Sequence, residues 1–162
     1  MSLFFWKQKD SFKRSAEVLP KLFNEANFYD AFVKDLLHAR TEVIIESPYI
    51  TSGRVRMLFP IFKEILRKGI KVYIVTRVPE EHDKTMQLQA EYEIARLESI
   101  GASIIFCKGN HHRKLAILDR KILWEGSLNI LSQVYSREIM RRMQNQSLAI
   151  QMFDFLDIGK VL

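Results

Sequence analysis

The sequence predicts an α/β domain with a mixed, largely parallel central sheet flanked by helices. Three observations lead there. Between Phe28 and Gly101, apolar residues recur at helical spacing in three stretches, each followed by a short apolar run rich in β-branched residues. That alternation implies βαβ units, whose strands pair in parallel. The stretch from His112 to Asn129 instead carries two apolar runs around a polar connection, the pattern of an antiparallel hairpin. With 162 residues, 48% of them hydrophobic, the chain has the material for one sizeable core.

Residues 1–27 read as an N-terminal extension and residues 28–162 as the folded domain. The extension has an apolar run only from Leu3 to Trp6 before its lysines begin, with no long apolar core or small-residue cleavage site. Neither a signal peptide nor a spanning helix is expected, and the inferred location is the cytoplasm. Phe4, Phe5 and Trp6 are expected to cover part of the protein's own core, while Lys7, Lys9, Lys13 and Arg14 suit either a solvated face or a polyanion surface.

Phe28, Tyr29, Phe32, Val33, Leu36 and Leu37 predict a helix from Phe28 to His38, and a strand follows at Glu42 to Glu46. Pro48 ends that strand and leaves Ser47, Tyr49, Thr51 and Ser52 in a loop at its carboxyl end, where open α/β sheets often bind ligands. Tyr49 is a candidate to stack on a base, or else a ring packed at the rim of the core. Leu58, Ile61, Phe62, Ile65 and Leu66 mark a second helix closed by Gly69, which Pro60 either starts or kinks. A strand at Lys71 to Thr76, a charged loop to Lys84, a helix carrying Met86, Ala90, Ile94 and Leu97, and a strand at Ser103 to Cys107 complete the alternating region. Beyond the hairpin, Ser147 to Gln151 reads as one more strand.

Charge narrows the partners. Lys plus Arg outnumber Asp plus Glu by 25 to 19, a formal net charge of +6, which favours anionic partners. The single Cys107 cannot form an internal disulfide and is expected as a buried structural thiol in a reducing compartment. No carboxylate cluster or cysteine pair points to a metal, and no cofactor is expected.

The hairpin carries the chemistry. With Arg120 and Lys121 as a two-residue turn, Lys114 would lie opposite Ser127 and His112 opposite Asn129, and period-two alternation would bring all four to one face. Histidine, cation, hydroxyl and amide together suit a phosphate oxyanion. The same parity sends Asp119 to the other face, in a turn-stabilising or supporting role. His111, one residue from His112, faces the opposite way; His38 and His82 read as surface residues and Trp124 as core. Arg137, Arg141 and Arg142 could track phosphates or lie on an exposed helix face.

These residues, His112-x-Lys114-x4-Asp119 followed by Gly126-Ser127-x-Asn129, resemble the signature of the phospholipase D superfamily, and Glu138 resembles that family's later glutamate. Its single-motif members include small bacterial endonucleases, restriction nucleases and nuclease-like modules attached to helicases. The resemblance implies the phospholipase D-like fold and a catalytic set of His112, Lys114, Asp119, Ser127, Asn129 and Glu138. It also implies metal-independent phosphodiester hydrolysis through a phosphohistidine, with Glu138 holding a histidine in its useful tautomer. Because the chain has one motif, a homodimer sharing one site across its two-fold axis is expected. The expected partner is nucleic acid, DNA ahead of RNA, with a helicase or another domain of a longer protein as a further partner and no stable membrane association. The alternatives are a phospholipase or phosphatidyl transferase, and a non-catalytic phosphate- or nucleic-acid-binding module.

Overall fold

The computed structural model describes residues 19–160, so the expectations for Leu3 to Arg14 lie outside the described residues. Seven strands form one sheet: β1 (Lys21–Asn24), β2 (Glu42–Glu46), β3 (Lys71–Arg77), β4 (Ser103–Cys107), β5 (Leu115–Leu118), β6 (Ile122–Gly126) and β7 (Ile139–Gln144). The helices are α1 (Phe28–His38), α2 (Ser52–Arg67), α3 (Lys84–Ser99) and α4 (Gln146–Phe155). The sheet order is β1-β7-β6-β5-β2-β3-β4. Among these strands β2, β3 and β4 run parallel to one another; β5 pairs antiparallel with β2, and β6, β7 and β1 continue antiparallel, so the expected mixed sheet divides into a parallel and an antiparallel half.

Alternation along each strand sorts the core into two layers. Val43, Ile45, Val72, Ile74, Ala116, Leu118 and Trp124 face α1, α2 and α3, where Phe28, Phe32, Leu36, Leu58, Phe62 and Leu97 complete the larger cluster. Ile44, Leu115, Ile117, Leu123 and Met143 face the other way and meet Ala149, Phe153 and Leu156 from α4. Each fully buried large apolar side chain stabilises by about 1.5–3 kcal/mol. Trp124 is the largest of them, and its indole N–H donates to Asp35 at 2.8 Å, so the polar atom does not orphan.

Several sequence expectations change here. The segment Ser147 to Gln151 is helical: Asn145 caps the first turn by accepting from Leu148 N at 3.0 Å, and the apolar positions Ala149, Met152, Phe153 and Leu156 continue at helical spacing beyond the short window that read as a strand. The basic stretch around Arg141 is a strand, β7, with Met140 and Met143 buried on opposite faces. Arginine interleaved with methionine hides a period-two pattern. β1 falls within residues 1–27 yet pairs with β7, and so belongs to the sheet. Helix α2 begins at Ser52 and carries Pro60 in its interior on an exposed position.

The hairpin register also differs. Leu118 pairs with Ile122 and Leu115 with Glu125, around a three-residue connection in which Asp119 and Arg120 both have φ of 52°. Lys114 therefore pairs with Gly126, whose N–H donates to Lys114 O at 3.2 Å, and not with Ser127. Arg-Lys is a poor two-residue turn, and Asp119 tolerates the left-handed conformation well enough to extend it.

One topological fact positions everything that follows. The chain leaves β4 at the sheet edge and enters β5 on the far side of β3 and β2. Residues 108–114 must therefore cross the carboxyl ends of both strands.

Candidate active site

His112 lies on that crossing segment. Alternation sends His111 inward, where it is buried, and leaves His112 exposed. Below it, Glu46 ends β2 and is fully buried. Arg113 reaches back to it with two bonds, Nε to Oε2 at 2.6 Å and Nη2 to Oε1 at 3.1 Å. Burial pushes the Glu46 carboxyl above its ordinary range while the Arg113 guanidinium opposes the rise. His111 Nε2 has no hydrogen-bond partner and sits 3.7 Å from Glu46 Oε2. Burial, then the positive charges of Arg113 and Lys114, push His111 down to about 4, so its ring is neutral at neutral pH. Nothing in the sequence singled out Glu46 or Arg113 as functional. The available signal was a carboxylate closing an apolar strand and an arginine inside the motif.

Lys114 and His112 meet directly. Lys114 Nζ lies 2.9 Å from His112 Nδ1, 3.4 Å from Nε2 and 2.8 Å from the His112 carbonyl. The ring nitrogen that accepts a hydrogen bond from the ammonium group is one that carries no hydrogen of its own. Burial lowers the Lys114 pKa and the Glu138 charge works against the fall. Both residues line a groove of about 560 Å³ that also takes in Ser127, Arg141, Ile139 and Phe155.

Ser127 reaches the groove by a different route from the expected one. After Gly126 the chain leaves the β6 ladder, and Ser127 N donates to Ile139 O at 2.9 Å. A Cβ on Gly126 would stand 2.0 Å from Ile139 O, so the glycine is required by the approach of β7. The Ser127 hydroxyl hydrogen-bonds the Glu138 carboxylate and accepts from Ile139 N at 3.1 Å. Glu138 also accepts from Ser136 Oγ at 2.6 Å, and its N–H donates to Glu25 at 2.9 Å. Glu138 thus acts on Ser127 and, through its charge, on Lys114; its carboxylate accepts from serines and not from the His112 ring.

Two candidates stand apart. Asp119 sits at the far end of β5, where its carboxylate accepts from Arg40 N, Thr41 N and Oγ1, and Glu42 N at 2.8–3.1 Å, pinning the turn between α1 and β2. Burial works to raise its pKa, and the hydrogen bonds from Thr41, Glu42 and Arg40 together hold it below the usual range. Asn129 Oδ1 is buried without a partner, and the Asn129 carbonyl closes the turn to Ser132 and Gln133.

The remaining basic and aromatic candidates divide likewise. Arg142 is paired bidentately with Asp35 at 2.7 and 3.0 Å, behind the sheet from the groove, which removes it from phosphate tracking; Arg141 stays in the groove, 3.8 Å from Glu125. Arg137 is exposed. His38 is exposed, as read from sequence, whereas His82 is half-buried against the Tyr49 ring at 5.0 Å. Cys107 lies on the edge strand and is only partly buried; burial, then the Glu46 charge, push its thiol up. No helix among the described residues is long and apolar enough to cross a membrane, and no three of their His, Cys, Asp and Glu side chains cluster as a metal site.

The described residues thus carry a His-x-Lys pair across the strand ends of a mixed sheet, beside a Gly-Ser turn. Residues 32–155 match the family described as "Cardiolipin synthase, PLD-like domain", and the chain belongs to this branch of the phospholipase D superfamily. Solved structures agree on the fold. NucT from Helicobacter pylori aligns with TM-score 0.66 at 21% identity, covering 85% of this chain and 92% of its own. Nuc from Salmonella typhimurium, described as a phospholipase D family member, gives 0.66 at 17% identity, covering 85% and 91%. The phosphatidylserine synthase of Haemophilus influenzae gives 0.64 at 14% identity, covering 82% of this chain and 37% of its own. A search among curated proteins finds no match.

Proposed function

We propose that this protein hydrolyses phosphodiester bonds in nucleic acid, DNA ahead of RNA, as an endonuclease whose site is completed by a second copy of the chain. The observation that carries the reading is the contact of Lys114 Nζ with the His112 ring, 2.9 Å from Nδ1, at the rim of an open groove. A phosphate oxygen entering there would draw Lys114 Nζ from the ring and free the imidazole to attack. A bond forms between a His112 nitrogen and phosphorus, the P–O bond to the leaving sugar breaks, and that oxygen takes a proton from the partner copy's histidine. The same partner histidine then accepts a proton from water, which attacks the phosphohistidine and restores His112. Lys114 stabilises charge on the phosphoryl oxygens, Ser127 turns its single O–H from the Glu138 carboxylate to donate to them, and Asp119 supports the motif strand at a distance. The net charge of +6 suits a polyanion, and the described residues' site needs the partner histidine as proton donor, hence the homodimer. A helicase or another domain of a longer protein is the further partner that fits a small cytoplasmic module of this kind.

The test compares wild type with His112→Asn on labelled single- and double-stranded DNA and RNA in excess EDTA. Cleavage lost only in the variant is the expected result; binding by both with cleavage by neither would replace the enzyme with a binding module. One observation favours the second reading, a phospholipase or phosphatidyl transferase: Ile139, Met152, Phe155 and Leu156 form an apolar wall of the same groove, with Phe155 78% exposed. Hydrolysis of phosphatidylcholine or phosphatidylglycerol vesicles, with oligonucleotides untouched, would select that reading.

A further inference from the structure

The groove lies to one side of His112; on the other stands a group of side chains that the proposed hydrolysis does not use. Three loops leave the carboxyl ends of β2, β3 and β4, and one arginine ties them together. Arg77, the last residue of β3 and only 11% exposed, donates to Tyr49 Oη at 3.3 Å, Asn110 Oδ1 at 3.0 Å and the Glu81 carbonyl at 3.2 Å. Glu81 returns the contact through Arg77 Nε at 3.2 Å and accepts from the N–H groups of Gly109 at 2.8 Å and Asn110 at 3.2 Å. Those two residues turn in the left-handed region, with φ of 83° and 60°, immediately before the histidines. The clamp thus fixes the Tyr49 hydroxyl and the start of the His112 segment to the same guanidinium.

A clamp of this kind would be bracing alone if it buried the ring it holds. It does not: Tyr49 and His82 both remain partly exposed. The His82 ring lies 5.0 Å from the Tyr49 ring at 36°, and the Tyr49 ring meets His112 edge-on at 6.4 Å and 87°. Two flat side chains therefore form a step beside the proposed nucleophile, on the side away from the apolar wall. Burial and the Arg77 charge lower the His82 pKa, against the pull of Asp83 and Glu81, which favours an uncharged ring that sheds water easily.

We propose that Tyr49 and His82 form a stacking subsite for the nucleobase adjoining the phosphate at His112, and hence that the preferred substrate is single-stranded or locally unpaired nucleic acid. The inference rests on the nucleic-acid reading above. A base inside a duplex has both faces covered by its neighbours, whereas an unpaired base can place one face on an aromatic ring. Arg77 and Glu81 are positioning residues here, and the ring faces of Tyr49 and His82 are the contact.

The test uses the full chain carrying His112→Asn, so that substrate is not consumed, and oligonucleotides containing 2-aminopurine, as DNA and RNA, single-stranded and in duplex. The single strands should bind more tightly and show quenched 2-aminopurine fluorescence. Adding Tyr49→Leu or His82→Leu should relieve the quenching and weaken binding about tenfold or more, while Tyr49→Phe, which keeps the ring, should retain both. Circular dichroism checks that each variant is folded, and His82→Leu carries the test should Tyr49→Leu unfold. Quenching and affinity unchanged in the folded leucine variants would overturn the subsite even if wild type cleaves DNA. Ring-dependent quenching with no cleavage by wild type would retire the nuclease and keep the subsite. Failure of every oligonucleotide to bind at low salt would overturn both.

Discussion

The two halves of the sheet support the candidate site in opposite ways. On the parallel side, the loops after β2, β3 and β4 are cross-tied by side chains: Arg77 and Glu81 hold Tyr49, Gly109 and Asn110, and Arg113 is seated on buried Glu46. On the antiparallel side, backbone proximity comes first and the Ser127–Glu138 bond is added to it: Gly126 lets β7 approach closely enough for Ile139 O to accept from Ser127 N. The difference follows from connectivity. Hairpin-linked strands bring their own loops together, whereas the ends of parallel strands come from distant parts of the chain and need side chains to join them. His112 sits on the segment that bridges the two halves.

Experiments can press on that contrast. The largest effect on turnover should come from His112→Asn, with no hydrolysis above background, followed by Lys114→Met, which removes the fixed cation and should cost about 10²–10³ in kcat. Both should keep the wild-type melting temperature to within a few degrees, because neither side chain fills the core. If either variant unfolds, the site is part of the scaffold and the distinction between the halves fails.

On the antiparallel side the largest stability effect belongs to Gly126→Ala. A methyl group 2.0 Å from the Ile139 carbonyl must push β6 and β7 apart, with a loss of about 3 kcal/mol in urea unfolding. A near-neutral result would show that β7 yields freely and that Ser127 is not positioned by this approach.

Asp119→Ala is expected to be smaller, about 1–3 kcal/mol, because it strands backbone donors that water can partly reach. Its folded pKa is depressed, so the stabilisation is present above the unfolded value of about 3.9 and disappears as pH falls through the folded value. The gap between wild type and the variant should therefore close in acid, and kcat of the folded variant at neutral pH should be unchanged. A selective loss of kcat would return Asp119 to the site.

Glu46→Gln should have the smallest effect on stability, within about 1 kcal/mol at neutral pH, since burying the carboxylate and pairing it with Arg113 oppose one another. Because the folded Glu46 pKa is raised, the wild type gains stability as pH falls through the folded value, in full once pH is below the unfolded one, and the glutamine variant should lack that gain. A large loss at neutral pH would mean that the Arg113 pairing dominates the burial cost.

Which residues would meet was partly legible. His112 and Lys114 were recognisable because two residues along an extended chain return to the same side, a local rule that survived the change of register. Ser127 came to the groove although its expected partner was wrong by one position, since the chain departs from the β6 ladder after Gly126. Asp119, five residues beyond Lys114 along the strand direction, was carried away from the groove by the same extended geometry. The basic run around Arg141 misled because its charge masked the alternation of Met140 and Met143.

Amphipathic periodicity, strand alternation and the spacing of the His-Lys and Gly-Ser pairs are properties of short segments, and for that reason the α/β class, three of the helices and the core of the candidate set could be read from the chain. Strand order is a different matter, since it depends on which distant segments pair. Only once β5 was placed beside β2, antiparallel and across from β4, did residues 108–114 have to pass over the ends of β3 and β2. That passage put Glu46, Tyr49, Arg77 and His82 around His112, from positions between 30 and 66 residues away in sequence.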